Sequence, residues 1–198
     1  MTKVCLSKSD IKILSDLLKN VFLHIIELRG NNTLAQYVQF PKIPPYLSES
    51  MIIHLIKDGI ILPEISRKLS HIGFGGSVAD VLVKLLDNNN EIKVEVKATG
   101  KSAFQKFGVN DINADYLIWV HFNEFFLNKN QKTIEIFIIK DPSRYISKPD
   151  KITLSRLLSI VGSNIKIVEI QFNKIFFSGL NEESIKHNKN IRELSPIY

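Results

Sequence analysis

Apolar residues recur at three- and four-residue steps between residues 11 and 25, which is the spacing of a single helix face. Mainly polar side chains fill the positions between them, as expected when one side of a helix packs on a core and the other meets solvent. Ser7 or Ser9 is placed to cap the start of this helix, and Gly30 to end it. The pattern therefore predicts a long amphipathic N-terminal helix.

Two further helices are predicted beyond the proline-rich break "PKIPPY". The first begins after Ser48, as its N-cap, and runs to about Asp58, with Gly59 ending it. The second is short and begins at Pro63, since proline is favoured in the first turn of a helix. Residues 1 to about 72 are thus expected to form a helical N-terminal part.

The hydrophobic pattern becomes strand-like after the glycine-rich stretch "GFGGS". The polar run "NNN" suits a hairpin turn between the first two strands, and "TLSRLLSIV" is typical of a late helix. The predicted strands are, in chain order, "ADVLVKLLD", "EIKVEVKA", "DYLIWVHF", "TIEIFIIK" and "IKIVEIQF". This order of elements predicts an α/β fold with a mixed central β-sheet flanked by helices, formed as a single domain over residues 1–198.

Composition narrows the class of protein. The chain has 198 residues, of which 44% are hydrophobic and 23% charged, as in ordinary globular proteins. No apolar run reaches membrane-spanning length and the start lacks an apolar signal core, so we expect a cytoplasmic protein with no membrane partner. Cys5 is the only cysteine, which excludes an intrachain disulfide and a thiolate zinc cluster. The net charge of +6 favours a polyanionic partner.

The segment "EVKATGKS" holds the strongest candidate chemistry, and its two ends point to different functions. The back end contains the Lys101–Ser102 pair of a nucleotide-binding P-loop. Such a loop needs a glycine where this chain has Glu95, because its backbone must curl around phosphate groups. A carboxylate in that place would repel a triphosphate, so the P-loop is disfavoured.

The front end of the segment predicts a cluster of charged side chains. Residues two apart on a strand project from the same face, so Glu95 and Lys97 point together. The hairpin folds the preceding strand back beside them, which brings Asp80, at the start of that strand, towards Glu95. Two carboxylates offer the hard oxygen ligands that Mg²⁺ prefers, and a lysine supplies positive charge near the reacting phosphate. These are the groups that Mg²⁺-dependent phosphodiester hydrolysis needs. The alternative is that Glu95 and Lys97 belong to an ordinary surface cross-strand pair and that Asp80 only stabilises the turn before its strand.

The stretch "SVADVLVKLLDNNNEIKVEVKATG" resembles the core of the PD-(D/E)XK nuclease superfamily, and type II restriction endonucleases in particular. Asp80 matches the first aspartate of the family motif, while Glu95 and Lys97 match the acidic residue and lysine of the second. Ala79 stands where the family has proline, a position that takes no part in the chemistry. The resemblance covers about residues 48–122.

This resemblance implies a restriction-endonuclease-like core, in which helices flank a mixed sheet of four or five strands. It implies a Mg²⁺ cofactor, hydrolysis of double-stranded DNA and a homodimer that matches a twofold DNA site. It also implies a role for Glu49 as a metal ligand, since some relatives supply an acidic residue from the helix before the core strands. Glu49 could instead serve only the positive end of its helix.

The polar stretch after the motif lies near the scissile phosphate in relatives of this family. Lys101, Ser102, Gln105 and Lys106 are therefore the candidate DNA contacts, and Gln105 resembles the glutamine found on the helix after the second motif. A solvated connecting helix is the alternative. The aromatic residues Phe104, Phe107 and Trp119 are assigned to the core.

Three functions stay open on the sequence. The first is a restriction endonuclease, the second a junction-resolving or repair nuclease, and the third a non-catalytic DNA-binding or interaction module of the same fold. Retention of Asp80, Glu95 and Lys97 as a complete set favours a nuclease, because a decayed site is expected to lose one of its members.

Overall fold

In the computed structural model, residues 3–86, 90–100 and 104–176 are described. The helices are α1 (Lys8–Asn31), α2 (Pro45–Lys57), α3 (Pro63–Ser66), α4 (Val109–Asn113), α5 (Leu154–Val161) and α6 (Phe172–Phe176), with short 3₁₀ turns at Thr33–Tyr37, Pro142–Arg144 and Gly162–Asn164. The strands are β1 (Leu69–Phe74), β2 (Val81–Leu85), β3 (Glu91–Thr99), β4 (Phe104–Phe107), β5 (Tyr116–His121), β6 (Thr133–Lys140), β7 (Asp150–Thr153) and β8 (Ile165–Gln171). No helix in these ranges is long and apolar enough to cross a membrane.

Six strands form one central sheet in the order β1-β2-β3-β5-β6-β8. Every neighbouring pair is antiparallel except β3 and β5, which run parallel. A parallel pair needs a crossover connection, and here β4 and α4 lie in the chain between the two strands. The predicted α/β class with a mixed sheet flanked by helices is confirmed, and the sheet is mostly antiparallel.

Two apolar cores lie on opposite faces of this sheet. Helices α1, α2 and α6 pack on the first face, where Val94 and Val96 of β3 are buried. The second core contains Leu117 and Trp119 of β5 together with residues of β4, α4, β7 and α5. Since alternate strand residues face opposite ways, β3 contributes its valines to the first core and turns Glu95 and Lys97 towards the second.

The predicted strands match β2, β3, β5, β6 and β8, and the long first helix matches α1. Ser7 is its N-cap and accepts a hydrogen bond from the Asp10 backbone N–H. The N-cap predicted for the second helix is wrong, because α2 begins at Pro45 and its N-cap is Pro44, four residues before Ser48. Ser48 lies within its first turn, and its hydroxyl donates to the Pro45 carbonyl at 2.9 Å. Gly59 ends the helix region with a left-handed φ of 68°, as predicted.

Three expectations for the middle of the chain are wrong. The helix beginning at Pro63 stops at Ser66, and Leu69–Phe74 instead forms β1, which pairs with β2. The segment containing Gln105 is strand β4, not a helix, because it pairs with β7. Phe104 does not join the core: it is 57% exposed, whereas Phe107 and Trp119 are fully buried.

A tight turn delivers the chain from β1 to Asp80 and requires glycine at residue 75. The Gly75 N–H donates to the Asp80 carbonyl at 3.3 Å, and its own carbonyl accepts from Val78 at 3.2 Å. A Cβ at this position would lie 2.6 Å from the Ala79 carbonyl oxygen, closer than real contacts allow. The backbone before Asp80 can therefore adopt this conformation only because residue 75 has no side chain.

We predict that Gly75→Ala lowers the free energy of unfolding by about 1–3 kcal/mol, the cost of overpacking a rigid site. Gly30→Ala is the matched control: nothing lies within 4 Å of its added Cβ, and its backbone is helical. That change should leave stability unchanged or raise it by up to about 1 kcal/mol. Urea titration of both variants tests the turn, and equal stabilities would contradict it.

Candidate functional site

Strand β3 presents Glu95 and Lys97 side by side on one face of the sheet. In the parallel pairing, Glu95 lies opposite Leu117 and Lys97 opposite Trp119, all on the second-core side. Glu95 is only 6% exposed, and the Lys97 side chain is 17% exposed. The sequence prediction that these two side chains project together is confirmed. Their burial shows that they are not a solvated surface pair.

Asp80 is tied directly to the backbone of β3. The β2–β3 ladder ends with Val81 opposite Val94, so the Val96 N–H lies beyond the last paired residue. The Asp80 carboxylate takes the place of a strand carbonyl and accepts this N–H at 2.9 Å through Oδ2. This bond brings Asp80 next to Glu95, close enough for the two carboxyl groups to share a hydrogen bond.

Glu49 approaches from helix α2. It is 3% exposed, and its Oε2 receives the ammonium of Lys3 at 3.3 Å. Burial raises the pKa of Glu49, and the negative charge of Asp80 raises it further, while Lys3 and Lys97 partly offset both effects. Glu49 therefore shares the electrostatic environment of Asp80, and its side chain is not simply a solvated acid at a helix start.

A fourth acidic residue, Asp111, belongs to the same cluster and was missed in the sequence. It lies on α4 and is 5% exposed. Its Oδ2 accepts the Gly108 backbone N–H at 2.6 Å, and its Oδ1 lies 2.5 Å from the Lys97 ammonium. Within the described residues Oδ1 receives no well-aligned hydrogen bond, so its contact with Lys97 is mainly electrostatic. The only sequence signal was a glycine three residues before an acid, a pattern typical of many helix starts.

The crowding of carboxyl groups changes the protonation of Glu95. Burial, followed by the nearby charges and hydrogen bonds of Asp80 and Asp111, raises the pKa of Glu95 to about 8. At neutral pH the Glu95 carboxyl group is therefore mainly protonated. A group with such a raised pKa beside specific charges is a frequent mark of functional sites.

The donor set of this cluster suits a hard divalent cation. Asp80 and Glu95 provide two neighbouring carboxylates, and Mg²⁺ is commonly bound through one or two such ligands while it retains several waters. Burial, followed by the negative charges of Asp80 and Asp111, keeps a proton on Glu95, and a cation would relieve the repulsion among these charges. Across residues 3–86, 90–100 and 104–176, no three or more His, Cys, Asp and Glu side chains are grouped so as to hold a metal ion. Lys3 and Lys97 hold two of the four acids, Glu49 and Asp111, in ion pairs.

The four residues predicted to contact DNA differ in where they lie and in how exposed they are. Lys101 and Ser102 lie outside the described residues. Gln105 is half-buried on β4, and its side-chain amide donates to the Ala98 carbonyl at 2.8 Å. Lys106 is exposed on the same strand. Gln105 thus ties β4 to β3 immediately beside Lys97, and Lys106 is free to meet solvent.

The element after Gly100 argues further against a nucleotide-binding loop. A P-loop opens into a helix whose N-terminus faces the phosphates. Here the next described element is strand β4, beginning at Phe104. The chain therefore departs from that motif in two independent ways: residue 95 is glutamate where the motif has glycine, and the next element described after Gly100 is a strand where the motif has a helix.

Comparisons with known proteins returned no relative. No family model matches the chain, and neither the curated proteins nor the solved structures contain a match.

We predict that Glu95 makes the stability of the metal-free protein fall as pH rises. The group has an ordinary pKa of 4.5 in the unfolded chain and about 8 in the folded one, so the folded state binds more protons between these values. Its contribution to stability is complete below pH 4.5 and is lost as pH rises to about 8, with a slope of up to about 1.4 kcal/mol per pH unit.

Glu95→Gln removes this titration, so the wild-type protein should lose stability relative to the variant across that pH window. Denaturant unfolding at several pH values, in the presence of a chelator, measures the difference. Glu91→Gln on the same strand is the control, since Glu91 is exposed and pairs with Lys84. A difference between wild type and Glu95→Gln that does not vary with pH would show that Glu95 ionises normally.

Proposed function

We propose that the protein is a Mg²⁺-dependent endonuclease that hydrolyses phosphodiester bonds in double-stranded DNA. In this proposal it has the core of the PD-(D/E)XK superfamily and acts as a type II restriction enzyme, as a homodimer on a twofold DNA site. The observation that carries the proposal is the convergence of Asp80, Glu95 and Lys97 in one cluster, in which Glu95 is buried and the other two residues are half-buried. The hydrogen bond from the Val96 N–H to Asp80 holds this convergence in place.

The three side chains would take two roles in this mechanism. Asp80 and Glu95 would hold the metal ion, with Glu49 beside them as a further ligand once it leaves Lys3. Bound Mg²⁺ lowers the pKa of a coordinated water and offsets negative charge at the phosphate. Lys97 would orient the attacking water or stabilise charge that develops in the transition state. A metal at this position would require Glu95 to give up its proton.

Two features of the fold agree with this proposal. The acidic cluster forms where β3 passes the end of β2, on a strand of a mixed sheet with helices on both faces. Helix α2, which precedes the core strands, supplies the buried Glu49. Both arrangements are what the family resemblance implies, although the sheet has six strands.

A DNA-binding module without hydrolytic activity is the second candidate function. The observation that favours it is the short ion pair between Lys97 and Asp111, which occupies the ammonium group that catalysis would need. A cleavage assay separates the two functions, because a module of this kind binds DNA and leaves it intact with or without Mg²⁺.

We predict that Asp80→Asn and Glu95→Gln each reduce Mg²⁺-dependent plasmid cleavage by orders of magnitude, since each removes a charge that holds the metal. Lys97→Ala should abolish cleavage with a smaller effect on metal binding, measured as the Mg²⁺-induced rise in melting temperature. DNA binding should survive the lysine change better than cleavage does.

The other end of the same hairpin provides matched controls. Glu91 and Lys84 form an exposed ion pair at 2.8 Å on the same two strands. Glu91→Gln and Lys84→Ala should change stability by only about 0.2–1 kcal/mol and leave cleavage unchanged. Wild-type cleavage in all three site variants would remove the site assignment, and an intact plasmid under every metal condition would remove the nuclease proposal.

Asp111 should act as a positioning residue for Lys97. Asp111→Asn removes the partner that holds the ammonium group, so we expect slower cleavage. The same change removes a charge that raises the pKa of Glu95, so Mg²⁺ should bind at lower pH than in the wild type. Measuring the pH midpoint of Mg²⁺-induced thermal stabilisation tests this, and Asp111→Glu should restore part of both properties. An unchanged midpoint would contradict the coupling.

A further inference from the structure

Strands β4 and β7 form a separate two-stranded ribbon outside the central sheet. Their antiparallel register places Phe104 opposite Thr153 and Lys106 opposite Lys151. These four residues share the outer face of the ribbon, because alternate residues face the same way, and all four are exposed. We refer to them as the outer ribbon face.

The outer ribbon face carries positive charge that the protein leaves unbalanced. Lys106 and Lys151 lie directly opposite each other, an arrangement of like charges that destabilises a strand pair. The face itself has no acidic residue, and no ion pair joins either lysine to the described part of the chain. Asp150, the nearest acid on β7, belongs to the inner face and pairs with Arg156 at 3.2 Å. The two lysines are thus suited to a partner that brings negative charge.

An aromatic ring lies within this charged face. Phe104 is 57% exposed, and the Lys151 ammonium lies 5.2 Å from its ring centroid. A large exposed aromatic side chain beside lysines is the combination that proteins use to hold a nucleic-acid strand: the cations meet phosphates and the ring stacks on a base or sugar.

The ribbon is fixed firmly beside the candidate site. Its inner face buries Phe107 and Ile152 in the second core, and Gln105 donates to the Ala98 carbonyl at 2.8 Å. Ala98 follows Lys97 directly in β3. The ribbon is therefore attached to β3 at the residue after Lys97, with its inner face on the second core and its outer face exposed to solvent.

The end of the ribbon adds a further positive region. Thr153 is the N-cap of α5 and accepts the Arg156 backbone N–H at 3.2 Å. The first turn of α5 contains no acidic residue, so the partial positive charge of the helix N-terminus is not neutralised there. Thr153 is thus both a residue of the outer ribbon face and the N-cap of α5.

We infer that the outer ribbon face binds the sugar–phosphate backbone of DNA beside the cleavage site. Lys106 and Lys151 contact phosphates, and Phe104 packs against a base or sugar of the same strand. This inference rests on the proposed nuclease function for its substrate, and it adds a binding element from β7 and an aromatic contact that the sequence motif does not contain.

The test uses DNA binding without cleavage. A fluorescent duplex of mixed sequence and its single strand are titrated with the full-length protein in a chelator, at several salt concentrations. Lys106→Gln with Lys151→Gln should weaken binding and reduce the slope of log affinity against log salt by about 2 for the duplex, since each phosphate contact contributes roughly 0.9. Phe104→Ala should weaken single-strand binding by about tenfold, a typical effect of losing one stacked base.

The chain offers matched controls on the opposite side of the sheet. Lys129 and Lys132 are exposed near α1, so Lys129→Gln with Lys132→Gln changes net charge equally and should leave the salt slope as in the wild type. Tyr37→Ala removes an aromatic side chain that is 84% exposed elsewhere and should leave single-strand binding unchanged.

Two outcomes would overturn the inference: ribbon variants that bind with the wild-type slope, or control variants that lose the same slope. Either result can occur in a protein that still cuts DNA through Asp80, Glu95 and Lys97, in which case the nuclease proposal stands. Conversely, a protein that binds DNA through the ribbon and never cuts it would support the inference and remove the nuclease proposal.

Discussion

The excess of carboxyl groups around one lysine is the constraint on which the site depends. Asp80, Glu95 and Asp111 lie close together beside Lys97, and two of these acids are almost fully buried. Buried like charges cannot all remain ionised at little cost. The folded protein meets this cost by keeping a proton on Glu95 and by pairing Asp111 with Lys97. A positive ion among these carboxyl groups would lower the same cost.

The local geometry of the cluster was predictable because it follows from strand periodicity. Glu95 and Lys97 are two apart on a strand with valines between and before them, so their shared face could be assigned from the sequence. The hairpin then placed Asp80 beside Glu95, and the bond from the Val96 N–H completes that approach. These relations involve neighbours in sequence or in one hairpin, where spacing determines which side chains meet.

Contacts between distant parts of the chain were not predictable in the same way. Asp111 reaches Lys97 only because β4 and α4 return across the sheet between β3 and β5. Short elements of four or five residues such as β4, β7 and α4 carry too little periodicity to be recognised. The exposure of Phe104 was missed for the same reason. An isolated phenylalanine is normally assigned to a core, but the pairing of β4 with β7 places this one on the outer face of the ribbon.

Strand β4 of the ribbon and helix α4, which carries Asp111, are neighbours in the chain. Gly108 alone separates the end of β4 from the start of α4, and its backbone N–H is the hydrogen-bond donor that fixes Asp111. Gln105 holds the other side of the same short strand against β3. The Gly108–Asp111 bond orients the carboxylate that pairs with the Lys97 ammonium. The ribbon and the Lys97–Asp111 ion pair are thus joined in the chain through a single residue, Gly108.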